Sequence, residues 1–187
     1  MNHRSKSIVL IGMMGAGKSS VGCCLQRRTK LALFDTDEIV ALKFGISISK
    51  IFSKYGEQAF REAETQTLRE LAPAKQTIIV TGGGIVLREQ NVNLLKRLGI
   101  VVWLDGNEET LFERASRSAN RPLLDRENPR EAFARMLQAR RPLYAKVANI
   151  HVDTSVLTEE EVVVAILTNV RKLGANFRVR PPIGAIT

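Results

Sequence analysis

Gly12-Met13-Met14-Gly15-Ala16-Gly17-Lys18-Ser19 reads G-x-x-x-x-G-K-[ST], the pattern of a phosphate-binding loop. Before it stands Ser7-Ile8-Val9-Leu10-Ile11, a short β-branched apolar run suited to a buried strand. After it, residues 20–28 can continue as a helix, which completes the strand–loop–helix context the motif requires. The glycines allow the backbone to approach a ligand closely. The loop N–H groups then converge on an anion, and the helix N-terminus adds its partial positive charge at the same point. Lys18 can reach the β- and γ-phosphates of a nucleotide, and the Ser19 hydroxyl can hold Mg²⁺ between them. Gly15, Ala16, Gly17, Lys18, Ser19 and Ser20 are the candidate nucleotide-binding residues of this stretch.

Outward from the loop, short apolar runs alternate with helical patterns. Leu31–Phe34, Ile78–Val80, Ile100–Leu104 and the weaker 149–153 read as further strands. Helices are expected at 36–44, 47–54, 57–71, 88–97, 108–114, 129–144 and 159–173, with Thr36 or Asp37 capping the first of these and Thr158 the last. The alternation predicts an α/β fold in three layers: a five-stranded parallel sheet between two layers of helices. One domain is expected over 1–173, followed by a tail at 174–187 that is either flexible or docked. A polar loop rich in arginine at 115–128 reads as mobile.

The 187 residues are 44% hydrophobic and 25% charged, enough for a real core, and only 5% aromatic, so aliphatic packing must dominate it. The net charge of +9 predicts anionic partners. Its lysines and arginines are scattered and no aromatic residues interleave with them, which favours small phosphorylated and carboxylated molecules over nucleic acid. Cys23 and Cys24 are adjacent and read as free thiols of a cytoplasmic protein. No signal peptide or membrane span is apparent, and a monomer is expected.

Four further groups could carry chemistry. Asp35 and Asp37 close the second strand, at the end of the sheet where the phosphate loop opens. One carboxylate could support a metal's water shell and the other accept a proton from an attacking hydroxyl, whereas helix capping explains only one of them. Gly82-Gly83-Gly84 ends the third strand, and three consecutive glycines make sense where backbone N–H groups meet a ligand. Arg140 shares a helical stripe with Phe133, Met136 and Leu137, so it either snorkels at the rim or points into a polar cleft. Arg61, with Glu57 four residues before and Glu64 three after, is left open between a surface ion-pair ladder and a ligand. In the polar loop, Arg121-Pro122 places a stiffened arginine that could close over a transferring phosphoryl group, or simply be solvated.

Taken together, Gly12–Ser19, Asp35-Thr36-Asp37, Phe60-Arg61-x-x-Glu64, Gly82-Gly83-Gly84, Arg121-Pro122-Leu123-Leu124, Arg140-x-Pro142-Leu143-Tyr144 and Val152-Asp153-Thr154 resemble the shikimate kinase family over roughly residues 5–172. The resemblance implies a P-loop, nucleoside-monophosphate-kinase-like fold with a substrate segment near 36–64 and a lid near 115–128. It also implies transfer of the ATP γ-phosphate to the 3-hydroxyl of shikimate. By the same resemblance Asp37, Arg61, Gly83 (with Gly82 and Gly84) and Arg140 hold shikimate. Ser19 binds Mg²⁺ with Asp35 behind it, Lys18 and Arg121 face the phosphoryl group, and Asp37 is the candidate base. After Thr154 the chain reads Ser155-Val156-Leu157, without the basic residue that members often carry near the adenine. That leaves the base to the backbone and to Arg114 or Arg117. A gluconate-type P-loop kinase is the alternative that two carboxylate-binding arginines leave open, and a non-enzymatic nucleotide switch is the alternative from another class.

Overall fold

In the computed structural model, residues 6–71, 75–117, 128–175 and 177 are described. The phosphate loop joins strand β1 (Ser7–Ile11) to helix α1 (Lys18–Thr29). The chain continues through β2 (Ala32–Asp35), α2 (Thr36–Phe44), α3 (Ile48–Glu70), β3 (Thr77–Val80) and a 3₁₀ turn at Ile85–Leu87. It ends with α4 (Glu89–Leu98), β4 (Gly99–Asp105), α5 (Glu108–Ser116), α6 (Pro129–Val147), β5 (Ile150–Asp153) and α7 (Glu159–Lys172).

All strand pairings are parallel, in the order β2-β3-β1-β4-β5. This is the expected five-stranded sheet. Strands β1, β3 and nearly all of β4 are buried, which is why their apolar runs are continuous rather than alternating. At the edge, β5 alternates, with Ile150 and Val152 inward and His151 and Asp153 outward. Because every strand points the same way, the phosphate loop, Asp35, Gly82–Gly84 and Asp105 all emerge at one end of the sheet.

The main core gathers β1, β3 and β4 with α1, α6 and α7. A second cluster of Val40, Ile51 and Phe60 joins α2 to α3. The two helices expected at 47–54 and 57–71 adjoin within α3 and are separated, as expected, at Gly56, whose φ of 81° and ψ of 168° are not helical. The tail docks at its start, since Phe177 is buried in the main core. Residues 178–187, and the loop span 118–127 with Arg121 and Pro122, lie outside the described residues. Among the described residues no helix is long and apolar enough to cross a membrane.

Candidate active site

The phosphate loop is shaped by tight contact with its surroundings. Gly15 has a φ of 84°, and a Cβ there would stand 2.1 Å from the Leu111 carbonyl oxygen. No acidic residue occupies the first turn of α1, so its N-terminus keeps its positive end for an anion. Lys18 Nζ donates to the Gly12 and Met13 carbonyls at 2.9 and 3.0 Å, folded back along the loop. Gly15, Ala16, Gly17, Lys18, Ser19 and Ser20 floor a cleft of about 490 Å³ walled by Arg114, Thr154, Leu157 and Thr158. Of the two arginines expected near the adenine, Arg114 is the one in the cleft, fixed by bonds to Thr154 Oγ1 at 3.2 Å and to the Thr154 carbonyl at 3.0 Å. Arg117 instead lies on the surface beside Glu113, because α5 runs on and turns it away.

The two aspartates divide as the chain leaves β2. The cap of α2 is Asp35, not Thr36 or Asp37: the strand extends to Asp35, whose Oδ1 accepts from the Asp37 N–H at 2.9 Å. Its Oδ2 lies 3.5 Å from Ser19 Oγ. These hard oxygens, one hydroxyl and one carboxylate, suit Mg²⁺ that keeps water and phosphate oxygens as its other ligands. Among the described residues no group of three or more His, Cys, Asp or Glu could hold a metal ion. With capping done by Asp35, the Asp37 carboxylate faces Gly82 instead: a Cβ at Gly82 would meet Asp37 Oδ1 at 2.6 Å and Glu64 Oε1 at 2.9 Å.

Arg61 is part of an ion-pair ladder, but not a surface one. It forms the ion pairs that spacing suggested, with Glu57 at 3.1 Å and Glu64 at 2.5 Å, yet it is buried. Its guanidinium lies against Gly84, where a Cβ would come within 2.3 Å of Nη1. Arg140 is buried too, and its Nη1 donates to Met13 Sδ at 3.9 Å. The glycine run therefore serves the site mainly by omitting side chains. Gly82 makes room for the carboxylates and Gly84 for a guanidinium, while Gly83 sits against the phosphate loop.

Two participants escaped the reading by spacing. Glu64 is fully buried, because α3 turns the face carrying Phe60, Glu64 and Leu68 inward. Its position four residues after one apolar residue and four before another was the available signal. Burial drives its carboxyl up to about 7 and the Asp37 charge adds to this, while Arg61 and Arg140 pull it down. Arg61 acts on this carboxyl through a direct ion pair and Arg140 at longer range. Tyr144, one turn beyond Arg140, is also fully buried; its hydroxyl donates to the Gly83 carbonyl at 2.5 Å.

A phosphate loop and a cluster of buried polar side chains, Arg61, Glu64 and Arg140, at the carboxyl end of a parallel sheet define a P-loop small-molecule kinase of the nucleoside-monophosphate-kinase-like fold. Comparison with known proteins narrows the class. The family model described as shikimate kinase matches residues 14–171. A shikimate kinase of Thermodesulfovibrio yellowstonii is 44% identical over 168 residues, which are 90% of this chain and 96% of that protein. The solved structure of a shikimate kinase from Acinetobacter baumannii in complex with shikimate aligns with a TM-score of 0.84 at 36% identity, over 91% of this chain and 96% of the other. A gluconokinase from Sinorhizobium meliloti, at a TM-score of 0.58 and 20% identity over 91% and 94% of the two chains, shares the fold alone. The chain belongs to the shikimate kinase family.

Proposed function

We propose that this protein transfers the γ-phosphoryl group of ATP to the 3-hydroxyl of shikimate, with Arg61 and Arg140 holding the substrate carboxylate. One observation carries the reading. Arg140 is a buried guanidinium with no carboxylate in salt-bridge range among the described residues. A buried cation bonded to a thioether, with the Glu64 carboxyl acting only at longer range, is poorly compensated, and an incoming carboxylate supplies the missing charge in the bidentate geometry guanidinium favours. Arg61, already balanced by two glutamates, adds direction more than net charge.

The chemistry then needs little beyond placement. Shikimate sits between the two arginines and the glycine run, with a ring hydroxyl at Asp37. Asp37 orients that hydroxyl and accepts its proton as the oxygen attacks phosphorus. Lys18 leaves its loop carbonyls to meet the β- and γ-phosphates, and Arg121, by family resemblance, closes over the transferring group. Mg²⁺, held by Ser19 with Asp35 behind it, would neutralise phosphate charge. Residues 36–64 form the substrate segment and 115–128 the lid of a single kinase domain. We place the enzyme in the cytoplasm as a monomer; Cys23 and Cys24 are free thiols, which fits that compartment.

A coupled ADP-release assay against shikimate, gluconate and nucleoside monophosphates tests the proposal. Turnover with shikimate exceeding the others by at least about a hundredfold in kcat/KM is the expected result. Preference for gluconate would transfer the same pocket to a sugar acid and overturn the reading.

A further inference from the structure

We infer that Tyr144 is a positioning residue whose hydroxyl couples Arg140 to the glycine run and the phosphate loop, and thereby sets affinity for the carboxylated substrate. The inference rests on the function proposed above.

One oxygen atom joins three elements. The Tyr144 hydroxyl, on α6, bonds the Gly83 carbonyl after β3 at 2.5 Å and lies 4.0 Å from Met13 Sδ in the phosphate loop. Arg140, on the preceding turn, reaches the same sulfur at 3.9 Å, so guanidinium and phenol meet on one thioether. A carbonyl only accepts, so the phenol O–H donates to the Gly83 carbonyl. The proton stays in place at working pH: burial raises the phenol to about 12, against the opposing pull of Arg140 and Arg61.

Two consequences reach the substrate side. Arg140 has no carboxylate in salt-bridge range among the described residues, and it shares the Met13 sulfur with the Tyr144 hydroxyl. And because the Gly83–Gly84 peptide is planar and trans, pinning the Gly83 carbonyl fixes the Gly84 N–H on the opposite edge. Gly84 is the residue against which Arg61 lies. The Tyr144 hydroxyl therefore bears on both arginines, on Arg140 through the shared Met13 sulfur and on Arg61 through a peptide. The glycine run cannot drift independently, since a Cβ at Gly83 would stand 3.4 Å from the Gly12 carbonyl oxygen and 3.5 Å from the Met14 nitrogen.

Tyr144→Phe keeps the buried ring and removes only the hydroxyl. We expect its KM and calorimetric Kd for shikimate to rise about tenfold, with KM for ATP within about twofold and a folded protein by thermal melt. In an Arg140→Lys background the same change should add at most about twofold, because the two groups meet on one sulfur and serve one carboxylate. In the unliganded protein the Gly84 amide should exchange at least about tenfold faster in Tyr144→Phe than in wild type. Unchanged shikimate affinity, equal losses for ATP and shikimate, or full additivity with Arg140→Lys would overturn the inference. If wild type neither binds nor turns over shikimate, the function proposed above fails; the exchange of the Gly84 amide then still decides whether Tyr144 fixes the loop, an unchanged rate overturning that role.

Discussion

The two halves of the cleft are built by opposite means. The nucleotide side is made from backbone, a contiguous run of eight residues whose N–H groups, helix end and single lysine need only local geometry. The acid side is made from side chains brought in by α2, α3, α6 and the turn after β3, and it encloses charge: Arg61, Glu64 and Arg140 are all buried. A backbone site costs the fold little and suits any nucleotide-dependent activity. A side-chain site costs stability, because ionised groups are withdrawn from water, and returns selectivity for one ligand chemistry. Under the proposed function the nucleotide half therefore sets the class and the acid half the substrate.

That contrast can be broken or sharpened by substitution. The largest effect should come from Lys18→Met, which removes the one full charge of the loop. Turnover should fall by at least about a thousandfold while the thermal unfolding midpoint moves by only a few degrees. Loss of the fold instead would mean that the loop, too, is held by side-chain charge.

Next in size is a stability effect on the acid side. Burial raises the Glu64 carboxyl from 4.5 to about 7 in the folded protein. Such a group favours folding fully below pH 4.5 and loses that contribution as pH climbs towards 7, where the folded protein must carry a buried charge. Glu64→Gln cannot ionise, so its stability relative to wild type should improve across that window by an amount on the order of 3 kcal/mol at most. Urea melts at several pH values check this. A difference that stays flat with pH would show that Glu64 is held ionised throughout by Arg61.

Gly84→Ala should act on the substrate alone. Its Cβ would displace the Arg61 guanidinium, the movable end of a long side chain, so KM for shikimate should rise about tenfold with KM for ATP unchanged. A matching loss of ATP affinity would mean that the two halves are not separable. The smallest effect divides two neighbours on α5. Arg114→Ala should raise KM for ATP several-fold, about 1 kcal/mol of lost contact, whereas Arg117→Ala should leave it within experimental scatter.

The same division explains what the sequence made legible. The sheet and the phosphate loop were readable because their signals are local: β-branched runs, glycine spacing, and a lysine–serine pair at a helix start. Arg140 was readable as a charged residue on an apolar stripe, though spacing could not say whether it reached the rim or the cleft. Arg61 and Glu64 were not, because an Arg–Glu pair three apart looks the same on a solvated helix as on a buried one. Only the packing of α3 against the glycine run decides between them, and that contact joins residues far apart in the chain. Assigning the cap to Asp35 rather than Thr36 or Asp37 turned on the strand running one residue further than its apolar run. Likewise, the purpose of the three glycines was legible as closeness but not as closeness to what: two of them clear space for side chains of the acid pocket.

The central claim is that a substrate carboxylate completes the charge of a buried arginine. It is tested most directly by comparing shikimate with its carboxamide, a neutral analogue of nearly the same shape, in wild type and in Arg140→Ala by coupled ADP release. Wild type should prefer the carboxylate by at least about a hundredfold in kcat/KM, and the variant should shrink that preference to about tenfold or less. Equal turnover of acid and amide by wild type, or a preference that survives intact in Arg140→Ala, would contradict it.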